Sequence, residues 1–230
     1  MKSRPPKNPA LKYTPLDDRL FCYVCRCRSG ARDPILESLR AETAGLGEIS
    51  QMQIGPDQGA FMTLLVAATG ACSAIEVGTF TGYSSICIAR GLPPDGRLLC
   101  LDASPEWTAM ARRYWQRAKV AAKIELRLGA AIESLKNLEK ARTFDFAFID
   151  AHKPEYDDYY ELVLPHVRHN GLILFDNMLW GGRLGGKRRM THLHGLAIDR
   201  LNRKLSRDSR VDSVLLPIGD GLHLCRVLRH

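Results

Sequence analysis

The stretch AIEVGTFTGYSS, residues 74–85, decides how the rest of the chain is read. Its first residues suit a buried strand, and the run breaks at Gly78 and again at Gly82 before a helical stretch, SSICIARGL. Glycines let a backbone turn pass close to a ligand, and the helix that follows points free N–H groups at whatever sits there. Strand, glycine turn and helix in this order make a unit of a doubly wound sheet. Working outward, β-rich runs return at RLLCLD (97–102), KIELRL (123–128), FDFAFID (144–150) and GLILFDN (171–177), with helical stretches such as EWTAMARRYWQRA between them. That alternation predicts an α/β fold with helices on both faces of a mostly parallel sheet. Ser104-Pro105 is a suitable helix opening, because serine caps free amides and proline fits the first turn.

The ends of the chain differ from its middle. After a helix around LAIDRLNRKL, the segment VDSVLLPIGDGLHLCRVL reads as two strands joined by a tight hairpin at Gly219-Asp220-Gly221. A parallel sheet ending in one antiparallel hairpin strand is similar to the Rossmann-like sheet of class I methyltransferases. Residues 1–70 read as helical: DPILESLRAETAGL places Ile35, Leu36, Leu39 and Ala44 on one face, and GAFMTLLVAATGA continues as a buried helix. With no internal repeat and no low-complexity linker, residues 1–230 are expected to form a single domain. Its N-terminal helices would pack on the sheet and shape the substrate site.

The chain has 33 Lys and Arg against 25 Asp and Glu, a formal charge of +8. The excess is concentrated: residues 1–40 hold nine basic and four acidic residues, and residues 181–210 hold nine and two. Two solvated surfaces are the simpler reading. The sharper one is a negatively charged substrate, such as a phosphate-bearing thioester or a nucleic acid, lying near both. Neither a membrane-length apolar run nor a secretory leader is recognisable, so a cytoplasmic enzyme without a membrane partner is expected. Cys22, Cys25 and Cys27 have the spacing that can begin a zinc site, but no fourth ligand follows at a recognisable distance. Reduced thiols are the expectation for all seven cysteines.

A dinucleotide site would show G-x-G-x-x-G, whereas this turn reads E-x-G-x-x-x-G from Glu76. The wider turn suits a ligand without phosphates. Asp102, ending the second strand, stands where a carboxylate can take two hydrogen bonds from a ribose diol, and Ser84 can meet a carboxylate at the helix start. S-adenosylmethionine has a ribose, an amino-acid tail and no phosphate. A generic nucleotide-binding turn remains the alternative.

Asp150 ends the fourth predicted strand, and Asp176-Asn177 end the fifth. If the two strands are neighbours, two carboxylates and an amide oxygen converge beside the cofactor turn. Such hard oxygen donors suit magnesium, with calcium or manganese as alternatives, rather than zinc. The competing reading is of turn residues bonding their own backbone.

From Met52 onward, DQGAFMTLL, IEVGTFTGYSS, LPPDGRLLCLD, FDFAFIDAHK, GLILFDNMLWGG and LPIGDGL occur in the order and at separations similar to those of the cation-dependent O-methyltransferases, the group containing caffeoyl-CoA and catechol O-methyltransferases. FIDA-x-K with DN-x-LW is the specific part of this resemblance. It implies an S-adenosylmethionine-dependent, divalent-cation-dependent O-methyltransferase acting on a small catechol-type acceptor. It places cofactor contacts at Glu76, Gly78, Thr79, Ser84, Asp102 and Ala131, and metal ligands at Asp150, Asp176 and Asn177. Lys153 matches the family's proposed base, Asp150 would also contact substrate, and Trp180 would wall the aromatic ring. His152 stands where many relatives have an aspartate near the cofactor tail, and Ile54 stands where plant enzymes have a threonine, leaving only its backbone to contribute. The resemblance also implies a homodimer.

Two other functions are weighed beside this one: methylation of a hydroxylated tRNA base, and a catalytically silent cofactor-binding dimer partner. The basic GGRLGGKRRMTHLH lacks the interleaved aromatics of single-stranded nucleic-acid sites, which argues against the first. Retention of Lys153 and all three metal donors argues against the second. His192 and His194 are expected to be solvent-exposed. Glu155, Asp157 and Asp158, following Pro154, are expected to be structural acids at a helix start.

Overall fold

A computed structural model describes residues 13–184 and 190–228. The β-rich runs form seven strands: β1 (Ser73–Val77), β2 (Arg97–Asp102), β3 (Ile124–Leu128), β4 (Phe144–Ile149), β5 (Val167–Phe175), β6 (Val211–Leu216) and β7 (Leu222–Val227). They make one sheet in the order β3-β2-β1-β4-β5-β7-β6. The first five strands are parallel, and β7 runs antiparallel to both β5 and β6. Strand alternation sends Ala74, Leu98, Phe146 and Leu174 into one apolar layer and Ile75, Leu99, Ala147 and Ile173 into the other.

Helices α1 (Asp18–Arg26), α2 (Pro34–Ala44), α3 (Pro56–Ala68), α4 (Tyr83–Gly91), α5 (Pro105–Arg117), α6 (Ala131–Lys136), α7 (Tyr156–Val163) and α8 (Leu193–Leu205) flank the strands. Helix α4 is buried from Tyr83 to Ala89, which is why its sequence shows no polar face. Helices α2 and α3 pack chiefly on α4 and α5 rather than on the strands, and α1 buries no residue. Cys22 and Cys27 are exposed near α1, and all seven cysteines are free thiols.

Two strand boundaries also differ. The fifth strand begins at Val167, four residues before the predicted start, and passes an irregular register near Asn170, whose φ is 60°. The polar residues Arg168, His169 and Asn170 are exposed there, which hides the strand from an apolar-run reading. The tight hairpin is instead a five-residue connection, 217–221, closed by Gly221 N donating to Ile218 O at 2.9 Å.

The turn after β5 is braced from β7. His223 is buried, and its Nδ1 lies 2.6 Å from Asn202 Oδ1 on α8; Asn202 Nδ2 donates to Met178 O at 2.8 Å. Because the amide oxygen accepts, Nδ1 carries the proton of a neutral ring. Burial pushes the His223 pKa down to about 4. The unfolded chain therefore binds this proton below about pH 6.5 while the folded one does not. Stability is expected to fall by up to about 3 kcal/mol through this group between about pH 6.5 and 4, and not further below. Buried acids with raised pKa values act with the opposite sign in this window. Urea unfolding of wild type and His223→Gln against pH isolates the histidine; equal slopes would remove this account.

Candidate active site

Strand order reverses between β1 and β4, and a doubly wound sheet opens a crevice at such a point beyond its strand ends. A cavity of about 820 Å³ lies there. Gly78 leaves β1 with φ +91°, and a Cβ on it would lie 2.5 Å from Asp150 O. The turn closes on Asp102, whose Oδ2 accepts from Thr79 N (2.9 Å) and Phe80 N (2.8 Å) and whose Oδ1 accepts from Ser104 N (2.8 Å). Phe80 holds φ 50° and meets Trp107 edge-on at 5.0 Å. Gly82 caps α4 without a side-chain bond, leaving first-turn amides available.

Glu76 is fully buried beneath this turn. Its Oε2 accepts from Cys100 Sγ at 3.3 Å, its Oε1 has no hydrogen-bond partner, and burial pushes its pKa to about 7. Thr79 Oγ1 is likewise buried without a partner. Thr79, Ser84, Asp102, Ala131 and Ile54 line the cavity. Ile54 is held by its neighbour: Gln53 Nε2 donates to Thr43 Oγ1 (2.9 Å) and Thr81 Oγ1 (3.0 Å), tying the cover segment to the glycine turn. Orphaned polar atoms, a carboxylate at the wall and an apolar shelf at Trp107, Ala131 and Ile132 fit a nucleoside with a polar tail.

The sheet brings the three hard donors together. Asp150 N donates to Val77 O (2.8 Å) and Asp176 N to Ile149 O (3.1 Å), so the ladders carry both aspartates one residue past their strands, side by side. Asn177, at φ 58°, turns back so that its N–H donates to Asp176 Oδ1 at 2.6 Å. Burial, then the charge of Asp150, pushes the Asp176 pKa to about 7; burial raises Asp150 too, against Lys153 Nζ at 2.6 Å from its Oδ1. Two carboxylates, one buried and one partly buried, facing one lysine fit a further cation of the oxygen-loving kind. Buried Gln58 on α3 faces Asp176, where its hydrogen bonding counters burial, although its Nε2 finds no partner at full hydrogen-bond geometry.

Around the mouth stand His152, which is exposed, and Trp180, whose Nε1 is buried without a partner. His194 is half-buried in the wall, not solvent-exposed, because the start of α8 packs against Trp180. Glu155 accepts the Tyr159 hydroxyl and borders the cavity, while Asp157 and Asp158 are exposed at the start of α7. Of the basic 181–210 stretch, 185–189 lie outside the described residues. Among the described ones, Arg203, Lys204 and Arg210 are ion-paired to acids. Gln58, Trp107 and His194 escaped the sequence reading. Gln58 alone left a signal, an amide buried on the apolar helix of DQGAFMTLL.

The glycine turn, the aspartate ending β2 and the apolar shelf are the arrangement of a class I methyltransferase. Residues 27–228 match the family model described as O-methyltransferase, and the chain belongs to that family as an S-adenosylmethionine-dependent enzyme. It is 38% identical over 186 residues to tricin synthase 2 of Oryza sativa subsp. japonica, covering 77% of this chain and 64% of that one. With caffeoyl-CoA O-methyltransferase 5 of Nicotiana tabacum it shares 32% over 219 residues, 91% of each. The crystal structure of an O-methyltransferase from Bacillus cereus in complex with SAH superposes with a TM-score of 0.82 at 31% identity, covering 91% of this chain and 97% of that one.

Proposed function

We propose that the chain methylates one hydroxyl of a catechol-type small molecule, with a divalent cation, magnesium first, held by Asp150, Asp176 and Asn177. The observation that carries this reading is the pair of aspartates at adjacent strand ends, Asp176 buried and Asp150 partly buried, facing one lysine beside the cofactor turn. A bound cation would supply charge stabilisation for an acceptor oxygen that has lost its proton. Asp102 and the turn amides it organises orient the methyl donor. The acceptor oxygen bonds to the methyl carbon as the carbon–sulfur bond breaks, and Lys153 takes the hydroxyl proton at Nζ. Trp180 borders the ring site and limits water.

SAH release is expected with S-adenosylmethionine, a catechol and magnesium. It is expected to fall by about 100-fold or more in excess chelator and to return with added magnesium. Release that chelator leaves unchanged, or that occurs with hydroxyuridine-containing RNA and not with any catechol, would defeat the proposal.

A further inference from the structure

Three separate chain segments bring four flat rings together at the cavity mouth. His152 follows β4, Trp180 sits in the turn after β5 with φ 51°, and His192 and His194 open α8. His194 meets His152 at 5.3 Å and 85°, and His192 at 5.1 Å and 76°. Trp180 lies 5.5 Å from His192 and 5.7 Å from His194. The packing behind them is close: a Cβ on Gly195 would lie 2.9 Å from Trp180 Cδ1 and 2.5 Å from Met190 Sδ. His152, His194, Trp180 and Lys153 all line the cavity, on the side of Asp150 and Asn177.

What this wall lacks is negative charge. The charged or titratable groups acting on His194 are His152, His192 and Lys153, all basic. Among the described residues no carboxylate accepts a hydrogen bond from any of the three imidazoles. The nearby acids are engaged, Asp150 by Lys153 and Glu155 by Tyr159. His192, at the N-cap of α8, makes no side-chain cap bond, and the amides of the first turn add positive potential at the same place.

We propose that His152 and His194, backed by His192 and Trp180, recognise a carboxylate carried by the acceptor, so that aromatic dihydroxy acids are preferred over neutral catechols. This rests on the catechol-type reading above and narrows it. Imidazole N–H groups left facing a neutral acceptor would lose water without gaining a partner, whereas a carboxylate gives charge-assisted bonds.

The test compares caffeate, methylcatechol and caffeoyl thioester as acceptors with magnesium, in wild type, His194→Gln and His194→Phe. The phenylalanine keeps the ring packing if glutamine disturbs the fold. Wild type is expected to show a KM for caffeate about tenfold or more below that for methylcatechol. Each variant should raise the caffeate KM by about tenfold while moving the methylcatechol KM less than about threefold. Calorimetric binding of caffeate to the SAH-loaded protein should weaken in parallel, independently of turnover. Equal KM values in wild type, or equal shifts for both acceptors, overturn the inference while neutral catechol turnover keeps the function standing. A thioester KM that lies below that of caffeate and rises in the variants assigns the wall to phosphates and overturns it as well. No turnover of any catechol by wild type overturns the catechol-type reading itself.

Discussion

Asp176→Asn is expected to lower methyl transfer by about 10³-fold or more, and to abolish binding of manganese as a magnesium substitute, without loss of stability. The substitution keeps shape and oxygen. Asn177 N donates to Asp176 Oδ1 at 2.6 Å, and an asparagine oxygen can accept that bond equally well. The charge is removed and one acceptor oxygen becomes an NH2 donor that can face Asp150, in a side chain whose residue is 3% exposed and whose ionised form is opposed first by burial and then by Asp150. A purely structural carboxylate would leave turnover intact when replaced this way. A ligand for a divalent ion would not, since the charge that is costly to bury without an ion is what draws the ion. Protein melting should stay level or rise, and manganese electron paramagnetic resonance should show free ion only. Unaltered turnover with unaltered manganese binding would mean that Asp176 is a turn residue.

How far the sequence could reveal this site depends on how each residue is placed. Asp102 ends β2, and Gly78, Asp150 and Asp176 each follow a strand; a parallel sheet carries all such ends to one edge, so the breaks at the ends of apolar runs point to these positions. The partnership of β4 and β5 was the one condition that the sequence left open, and the register Ile149 to Phe175 meets it. Residues placed by tertiary packing were not legible. His194 enters the wall because α8 presses on Trp180, a contact across 15 residues that no periodicity encodes. Glu76, which the resemblance places at the cofactor, is buried under the turn, where Cys100 Sγ donates to its Oε2. The early start of β5 was hidden by three exposed polar residues in an otherwise buried strand.

Gly78→Val is expected to remove cofactor and cation binding together, with an affinity loss of about 100-fold or more for each, because one atom touches both sites. At φ +91° a β-branched residue is strained whatever space it has. Here there is no space: the Cβ would lie 2.5 Å from Asp150 O and 2.7 Å from its carbonyl carbon. One response moves the glycine turn away from β4, pulling Thr79 and Phe80 off Asp102, where their amides donate at 2.9 and 2.8 Å. The other moves Asp150, whose N–H is fixed to Val77 O at 2.8 Å, and with it the carboxylate that faces Asp176. Strain and overpacking each cost about 1–3 kcal/mol, so the native fold should persist with a lowered melting point. Equilibrium binding of SAH without metal, and of manganese without SAH, separates the two losses. A variant that lost SAH binding alone, with manganese affinity unchanged, would show that the turn yields while Asp150 stays in place. Parallel loss makes Gly78 the contact through which cofactor turn and cation site share one geometry.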